Sequence, residues 1–264
     1  MREQRGQAET IPPVMSEGSP ANSYAQTQPD QPIRNDLIIS SHDLHRVFGE
    51  GDTAVSAVNG ISLDVAQGEF LAVVGRSGSG KTTLLNLLSG LDRPTSGEVT
   101  FQGRDLTALS ERDLVELRRR SIGFVFQSFG LMPLLSALEN VELPLHIIGT
   151  SWRERRRRAQ EALQMVGLGP RSRHRPYELS GGEQQRVSIA RALVTGANAV
   201  FADEPTGELD TTTAASIGAL LQEVARERKA TVITATHDLA LAAMSDRIVR
   251  LVDGAVEQEE IPGG

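Results

Sequence analysis

The stretch EFLAVVGRSGSGKTTLLNLLSG, residues 69–90, decides the fold. Residues 69–74 are a compact, mostly apolar run ending at Gly75, the pattern of a buried strand. Gly75, Arg76, Ser77, Gly78, Ser79, Gly80, Lys81 and Thr82 complete a G-x-x-x-x-G-K-T loop, and residues 82–88 continue as a helix ending near Gly90. Strand, glycine-rich loop and helix in that order make a phosphate cradle. The glycines permit a curl that turns successive N–H groups toward phosphate oxygens, and the helix adds the positive end of its dipole. Lys81 is positioned to reach the β- and γ-phosphates of a nucleotide and the Thr82 hydroxyl to ligate Mg²⁺, with Thr83 beside it in the binding set.

The basic residues sharpen this. Of 27 lysines and arginines, only Lys81 and Lys229 are lysine. A compact ammonium on a flexible stem fits inside a phosphate loop where a broad planar guanidinium does not.

Two further stretches complete the chemistry. Asp203 and Glu204 follow the apolar run 199–202. Phosphoryl transfer to water needs a carboxylate that orders the metal and a group that orients or deprotonates the water, both fixed at a rigid strand end. Asp203 fits the first role, holding Mg²⁺ through its water shell, and Glu204 the second. An acidic pair after a strand is equally a helix cap or a solvated turn when it stands alone; the phosphate loop upstream favours the metal site. Between them, Leu179-Ser180-Gly181-Gly182-Glu183 opens a helix with a serine and two glycines, an anion site without a phosphate loop of its own.

Outward from these motifs, short β-like segments are expected at 37–40, 44–48 and 61–65, and a strand at 122–126. Helices at 137–148 and 151–166 form a mostly helical insertion. Beyond it, helix 180–194, strand 199–202, helix 211–228, strand 230–234 and helix 238–243 alternate as in an α/β sheet. The domain is expected over 36–258, its core at 36–127 and 179–258 and its helical subdomain at 128–178. Residues 1–35, rich in Gln, Pro, Ser and Glu, read as a disordered tail, and 259–264 as a second tail.

The chain has no cysteine, which excludes disulfides and Cys-ligated metal sites. No apolar run approaches the ~20 residues that cross a bilayer, and the N-terminus lacks the pattern of a secretory signal. These point to the cytoplasmic side. A net charge of −7 gives no general reason to expect nucleic acid as a partner. The arginines at 155–158 accompany an apolar stripe of Ala159, Ala162, Leu163 and Val166, so they form a solvated face or a contact to acidic lipid or a partner.

The sequence from Leu179 to Arg186 resembles the signature of ABC-type ATPases, and the resemblance extends over about 37–254. It implies a P-loop, RecA-like α/β core with an antiparallel β edge and an inserted helical subdomain. It also implies a homodimer in which Ser180, Gly181 and Gly182 of one copy complete the ATP pocket of the other. Gln127 matches the glutamine that senses Mg²⁺ and links the core to the helical subdomain, and His237 the switch histidine at the γ-phosphate. Asp210 matches the loop that crosses the dimer interface, although a cap for the following helix explains it too. Phe48 matches the aromatic that stacks on adenine; a core phenylalanine is the rival placement.

Within the family, the stretches around 124–145, 174–193 and 202–210 look like the lipoprotein-release and macrolide-export type ATPases. These serve membrane permeases with few transmembrane helices and a large extracytoplasmic domain, from the cytoplasmic face of the inner membrane. A cell-division relative with a non-transporting partner shares the architecture, and soluble ABC ATPases share all three motifs. Phe129, Leu131, Met132, Leu134 and Leu135 either line the groove that receives the permease or form a small core of the helical subdomain. Tyr177 and Glu178 are candidates to relay to that partner. Three positions depart from the subgroup's usual pattern: Arg76 stands in place of a common proline, Glu208 in place of a common asparagine, and Phe48 in place of a frequent tyrosine.

Overall fold

The computed structural model describes residues 36–262, so the tail expected over 1–35 lies outside the described residues. The chain opens with two long strands, β1 (Leu37–Phe48) and β2 (Val55–Ala66), paired antiparallel. Two separate segments were expected where β1 is one strand. Asp43 explains the difference: it takes a left-handed φ of 46° at a register shift between Ser41 and Leu44, which bends the strand without ending it. Next come β3 (Phe70–Val74), α1 (Lys81–Leu88), β4 (Ser96–Phe101) and β5 (Arg104–Asp105), then α2 (Glu111–Ser121) and β6 (Ile122–Phe126). The helical insertion holds α3 (Ala137–Ile147) and α4 (Trp152–Met165). The chain then returns through α5 (Gly181–Leu193), β7 (Ala199–Asp203), α6 (Thr211–Arg228), β8 (Thr231–Thr236) and the short α7 (Leu239–Ala242). It closes with β9 (Arg247–Val252) and β10 (Ala255–Glu260), a strand that runs past the expected domain limit at 258.

Two sheets result. The antiparallel edge is a sheet of order β2-β1-β4-β5, and the main sheet has order β10-β9-β3-β8-β7-β6. Its strands are parallel except β10, which returns antiparallel on β9. β3 and β8 are buried along their whole length, as parallel strands covered on both faces must be. Alternate residues feed the two faces. Leu71, Val73 and Phe201 join one core with α1, α2 and the antiparallel sheet, whereas Phe70, Val200 and Ala202 join another with α3, α4, α5 and α6. Leu84, Leu87 and Leu88 of α1 are buried. At about 2 kcal/mol for each leucine taken out of water, they fix the helix and hence Lys81 at its first position.

Parallel strands end on the same side, so the loops after them share one edge. Val74 is level with Thr236, Phe126 with Asp203, and Asp203 with Ala235. The glycine loop, Gln127, the Asp203-Glu204 pair and His237 therefore emerge together, at the carboxyl ends of four strands where α/β sheets hold ligands.

Candidate functional site

A cleft of about 640 Å³ opens at that edge. Arg76, Ser77, Gly78, Gly80, Lys81, Thr82 and Thr83 line one side, and Gln127, Glu204 and His237 the other. Lys81 is 7% exposed; its Nζ donates to the carbonyls of Gly75 at 3.0 Å and Arg76 at 3.2 Å, and lies 3.8 Å from Glu204 Oε1. The loop is thus curled around the ammonium. Gly80 caps the helix with a φ of 98°, and a Cβ there would run into the carbonyl oxygen of Ala57, so only glycine serves. Behind the loop, the Gly254 N–H donates to the Ser79 carbonyl at 3.1 Å, and the Gly254 carbonyl accepts from the Asn59 N–H at 2.8 Å. The turn between β9 and β10 is a brace that the motif alone does not reveal.

Thr82 Oγ1 donates to Asp203, 3.1 and 3.0 Å from its two carboxylate oxygens. Burial pushes the Asp203 carboxyl above its usual range and neighbouring Glu204 adds to this, while the Thr82 hydroxyl and Lys81 pull it down. A half-buried carboxylate beside a hydroxyl is a hard oxygen pair that a divalent cation satisfies. Among the described residues no group of three or more His, Cys, Asp or Glu forms a metal cage. That composition suits Mg²⁺, which takes one or two protein oxygens and completes its shell from water and phosphate.

Glu204 has a left-handed φ of 48°. Its N–H donates to the Ala235 carbonyl at 2.9 Å, which locks this uncommon conformation and turns the side chain into the cleft. There Oε2 lies 2.8 Å from His237 Nδ1 and accepts from the His237 N–H at 3.3 Å. The Gln127 side chain lies against Gly207, whose added Cβ would come within 3.2 Å of Gln127 Nε2. The loop after Gln127 is tied to α5 by Arg191, which donates to the carbonyls of Phe129, at 3.0 Å, and Gly130. Gln185 of the same helix donates to the Pro205 carbonyl at 2.7 Å. Neither of these two contacts is visible in the sequence, because the partners are backbone carbonyls 20 and 62 residues away.

Other expected residues lie outside this cleft. Within the signature, Ser180 caps α5 through a reciprocal box: its hydroxyl accepts from the Glu183 N–H at 3.3 Å while Glu183 Oε2 accepts from the Ser180 N–H at 2.9 Å. Gly181 faces Leu209 and Gly182 packs against Thr213. Asp210 caps α6, accepting from the N–H groups of Thr212 and Thr213 at 3.1 and 3.0 Å. Phe48, at the end of β1, is 43% exposed rather than in the core. The Arg46 guanidinium lies 4.4 Å from its ring centroid and is itself held by Asp92 at 2.8 and 3.1 Å. In the segment after Gln127, Leu131 packs on the core, Phe129 and Leu135 are half-buried, and Met132 and Leu134 are exposed. Asn140, fully buried, bonds both the N–H and the carbonyl of Met132 and clamps this segment.

A sequence model of the ABC transporter family matches residues 58–207. The lipoprotein-releasing system ATP-binding protein LolD of Chromohalobacter salexigens is 49% identical over 225 residues, covering 85% of this chain and 95% of that protein. The macrolide export ATP-binding/permease protein MacB of Marinobacter nauticus is 47% identical over 222 residues, covering 84% of this chain, and there the chain spans only 34% of the relative's length. Among solved structures, the dimeric post-hydrolysis state of the ATP-binding cassette MJ0796 bound to ADP and Pi is 43% identical. It superposes with a TM-score of 0.79, covering 86% of this chain and 99% of that one.

Proposed function

The chain belongs to the ABC transporter family, and from that membership we propose that it binds and hydrolyses ATP as the motor subunit of a membrane permease. The observation that carries this reading is the convergence of Lys81, Thr82, Gln127, Glu204 and His237 on one cleft. Lys81 exchanges its two backbone carbonyl partners for β- and γ-phosphate oxygens, and the loop N–H groups take the remaining phosphate oxygens. Thr82 and Asp203, with Gln127 nearby, would hold Mg²⁺, which when bound would supply positive charge against the phosphate oxygens. Glu204 orients water and accepts its proton as the water oxygen attacks the γ-phosphorus and the bond to ADP breaks. His237 fixes the Glu204 carboxylate at 2.8 Å, and in this reading it also contacts the γ-phosphate. The exposed ring of Phe48 stacks on the adenine.

Two copies close head to tail on two ATP molecules, each lending Ser180, Gly181 and Gly182 to the other's phosphates, with Asp210 on the loop between. A homodimer is in keeping with the dimeric state described for the solved relative. Closure and reopening pull on the permease through the segment after Gln127, where Met132 and Leu134 are exposed. No helix among the described residues is long and apolar enough to cross a membrane. The protein acts peripherally at the cytoplasmic face, on a partner with a large extracytoplasmic domain.

The test is affinity capture of tagged Glu204→Gln protein from detergent-solubilised native membranes with ATP present. A stoichiometric polytopic membrane protein is expected. Recovery with ribosomal or DNA-bound proteins and no membrane partner would overturn the assignment.

A further inference from the structure

The face that carries the cleft also carries two charged side chains without partners. Arg76 is exposed on the rim of the phosphate loop, and Glu208 is exposed in the loop between β7 and α6. Among the described residues neither side chain makes a hydrogen bond or an ion pair. Asp253 and Glu257 line a groove on the far side of the same loop, yet neither is within ion-pair distance of Arg76. The neighbouring acids are already committed: Asp210 caps α6, and Glu204 is held by His237.

Packing says where Glu208 goes. Ser180, Gly181 and Gly182 are not among the residues lining their own chain's cleft. A Cβ added to Gly181 would come within 3.3 Å of Leu209 Cδ2, and Gly182 abuts Thr213 at the start of α6. The N-terminus of α5 and the loop 206–210 are therefore one packed unit. A second copy that brings Ser180 to Gly182 over a phosphate cleft must bring Leu209, and Glu208 beside it, to the same rim. The exposed cation on that rim is Arg76. Two-fold symmetry then makes the contact twice, because residue i meets j and j meets i.

Resting on the dimer of the preceding section, we infer that Arg76 pairs with Glu208 of the partner subunit at both sites, and that this pair sets the strength of ATP-driven closure. The two exposed and unpaired charges of opposite sign are then complementary halves of one contact. A carboxylate at 208 alone would burden the interface; a guanidinium at 76 relieves it.

The experiment uses full-length protein in the Glu204→Gln background, at ATP and Mg²⁺ concentrations shown by titration to saturate every variant, with dimerisation followed by sedimentation velocity. Arg76→Glu homodimers place acid against acid and Glu208→Arg homodimers base against base; each is expected to weaken dimerisation by about tenfold or more. Mixing the two single variants yields a heterodimer in which each contact sets acid against base, because one copy carries acid at both positions and the other carries base at both. That heterodimer is therefore expected to form about tenfold or more tighter than either single-variant homodimer and to recover the unmodified affinity to within about threefold, whereas a mixture no tighter than the single variants overturns the pairing. The Arg76→Glu, Glu208→Arg double variant sets acid against base at both sites and is expected to recover the unmodified affinity to within about threefold. Mixed with unmodified protein, the double variant meets like charge at both contacts, acid at one and base at the other, and those heterodimers should be the weaker species. That selective failure to mix reports contact between subunits, since a pair formed within one chain would be restored in the double variant whatever its partner. Undiminished dimerisation of either single variant, or heterodimers of the double variant as tight as its homodimers, overturns the pairing while leaving the dimer intact. Failure of the Glu204→Gln protein itself to dimerise with ATP overturns the dimer, and the pairing with it.

Discussion

Glu204 and His237 meet across two adjacent parallel strands, the carboxylate Oε2 lying 2.8 Å from the imidazole Nδ1 while the other oxygen faces Lys81 at 3.8 Å. Neither residue sets this geometry alone. The Glu204 backbone takes its left-handed turn because its N–H is bonded to Ala235, two residues before His237. Replacing the imidazole leaves that turn and frees the carboxylate to rotate. His237→Ala is expected to lower ATP turnover by about 10²-fold with ATP affinity changed much less, read from steady-state rates and nucleotide titration; equal losses in both would assign His237 to binding instead.

Thr82 and Asp203 share a hydrogen bond where a divalent cation would sit. Asp203→Asn is expected to raise the Mg²⁺ concentration for half-maximal activity by about 10- to 100-fold. A titration of Mg²⁺ at fixed ATP checks this, and an unchanged midpoint would remove Asp203 from the metal site.

Phe48 presents an exposed ring whose orientation is supported by Arg46 and, through it, Asp92. If the ring carries adenine, Phe48→Ala should weaken ATP binding by about tenfold, the worth of one aromatic stack, and Phe48→Tyr should leave it nearly unchanged. Equal affinity in the alanine variant would take the base elsewhere.

The Ser136 hydroxyl and N–H, in that order of effect, hold the Glu139 carboxyl below its usual range in the capping box of α3. A depressed carboxyl stabilises the fold above its unfolded pKa of about 4.3 and loses that contribution as pH falls through the lower folded value. Because glutamine at this position still completes the capping box, Glu139→Gln should lower the melting temperature at neutral pH by only about 1–2 °C, as expected for about 0.3–0.5 kcal/mol from an exposed charge at a helix N-terminus. The gap to the unmodified protein should close on acidification toward about pH 3. A gap that persists at low pH would assign the effect to something other than the charge.

The strands and helices that carry the chemistry were legible because their signals are local. The loop 75–82 announces itself by glycine spacing and a lone lysine, and β7 by an apolar run before two acids. Elements without that concentration were not. α2 buries only Leu114 and Leu117 in a helix that is otherwise mostly charged, and β10, AVEQEE, is an edge strand with no fully buried residue. β4 begins Ser-Gly-Glu, which reads as a turn, yet ends on the buried Phe101. The supports of the site were hidden for another reason. Gly254 braces the phosphate loop from the far end of the chain, Arg46 reaches Asp92, and Arg191 grips the carbonyl of Phe129; each joins residues whose separation leaves no pattern in a single sequence. The N-terminus of α5 is a different case again: its cap was legible, whereas the role proposed for it depends on a second copy.

The most direct test of the account is single-turnover hydrolysis by Glu204→Gln protein, with ATP binding measured on the same sample. The account predicts that ATP binds with near-normal affinity while hydrolysis slows by about 10²–10³-fold, because only the group that takes the water's proton has been removed. Full turnover in that variant would contradict it and would move the base to another residue of the cleft.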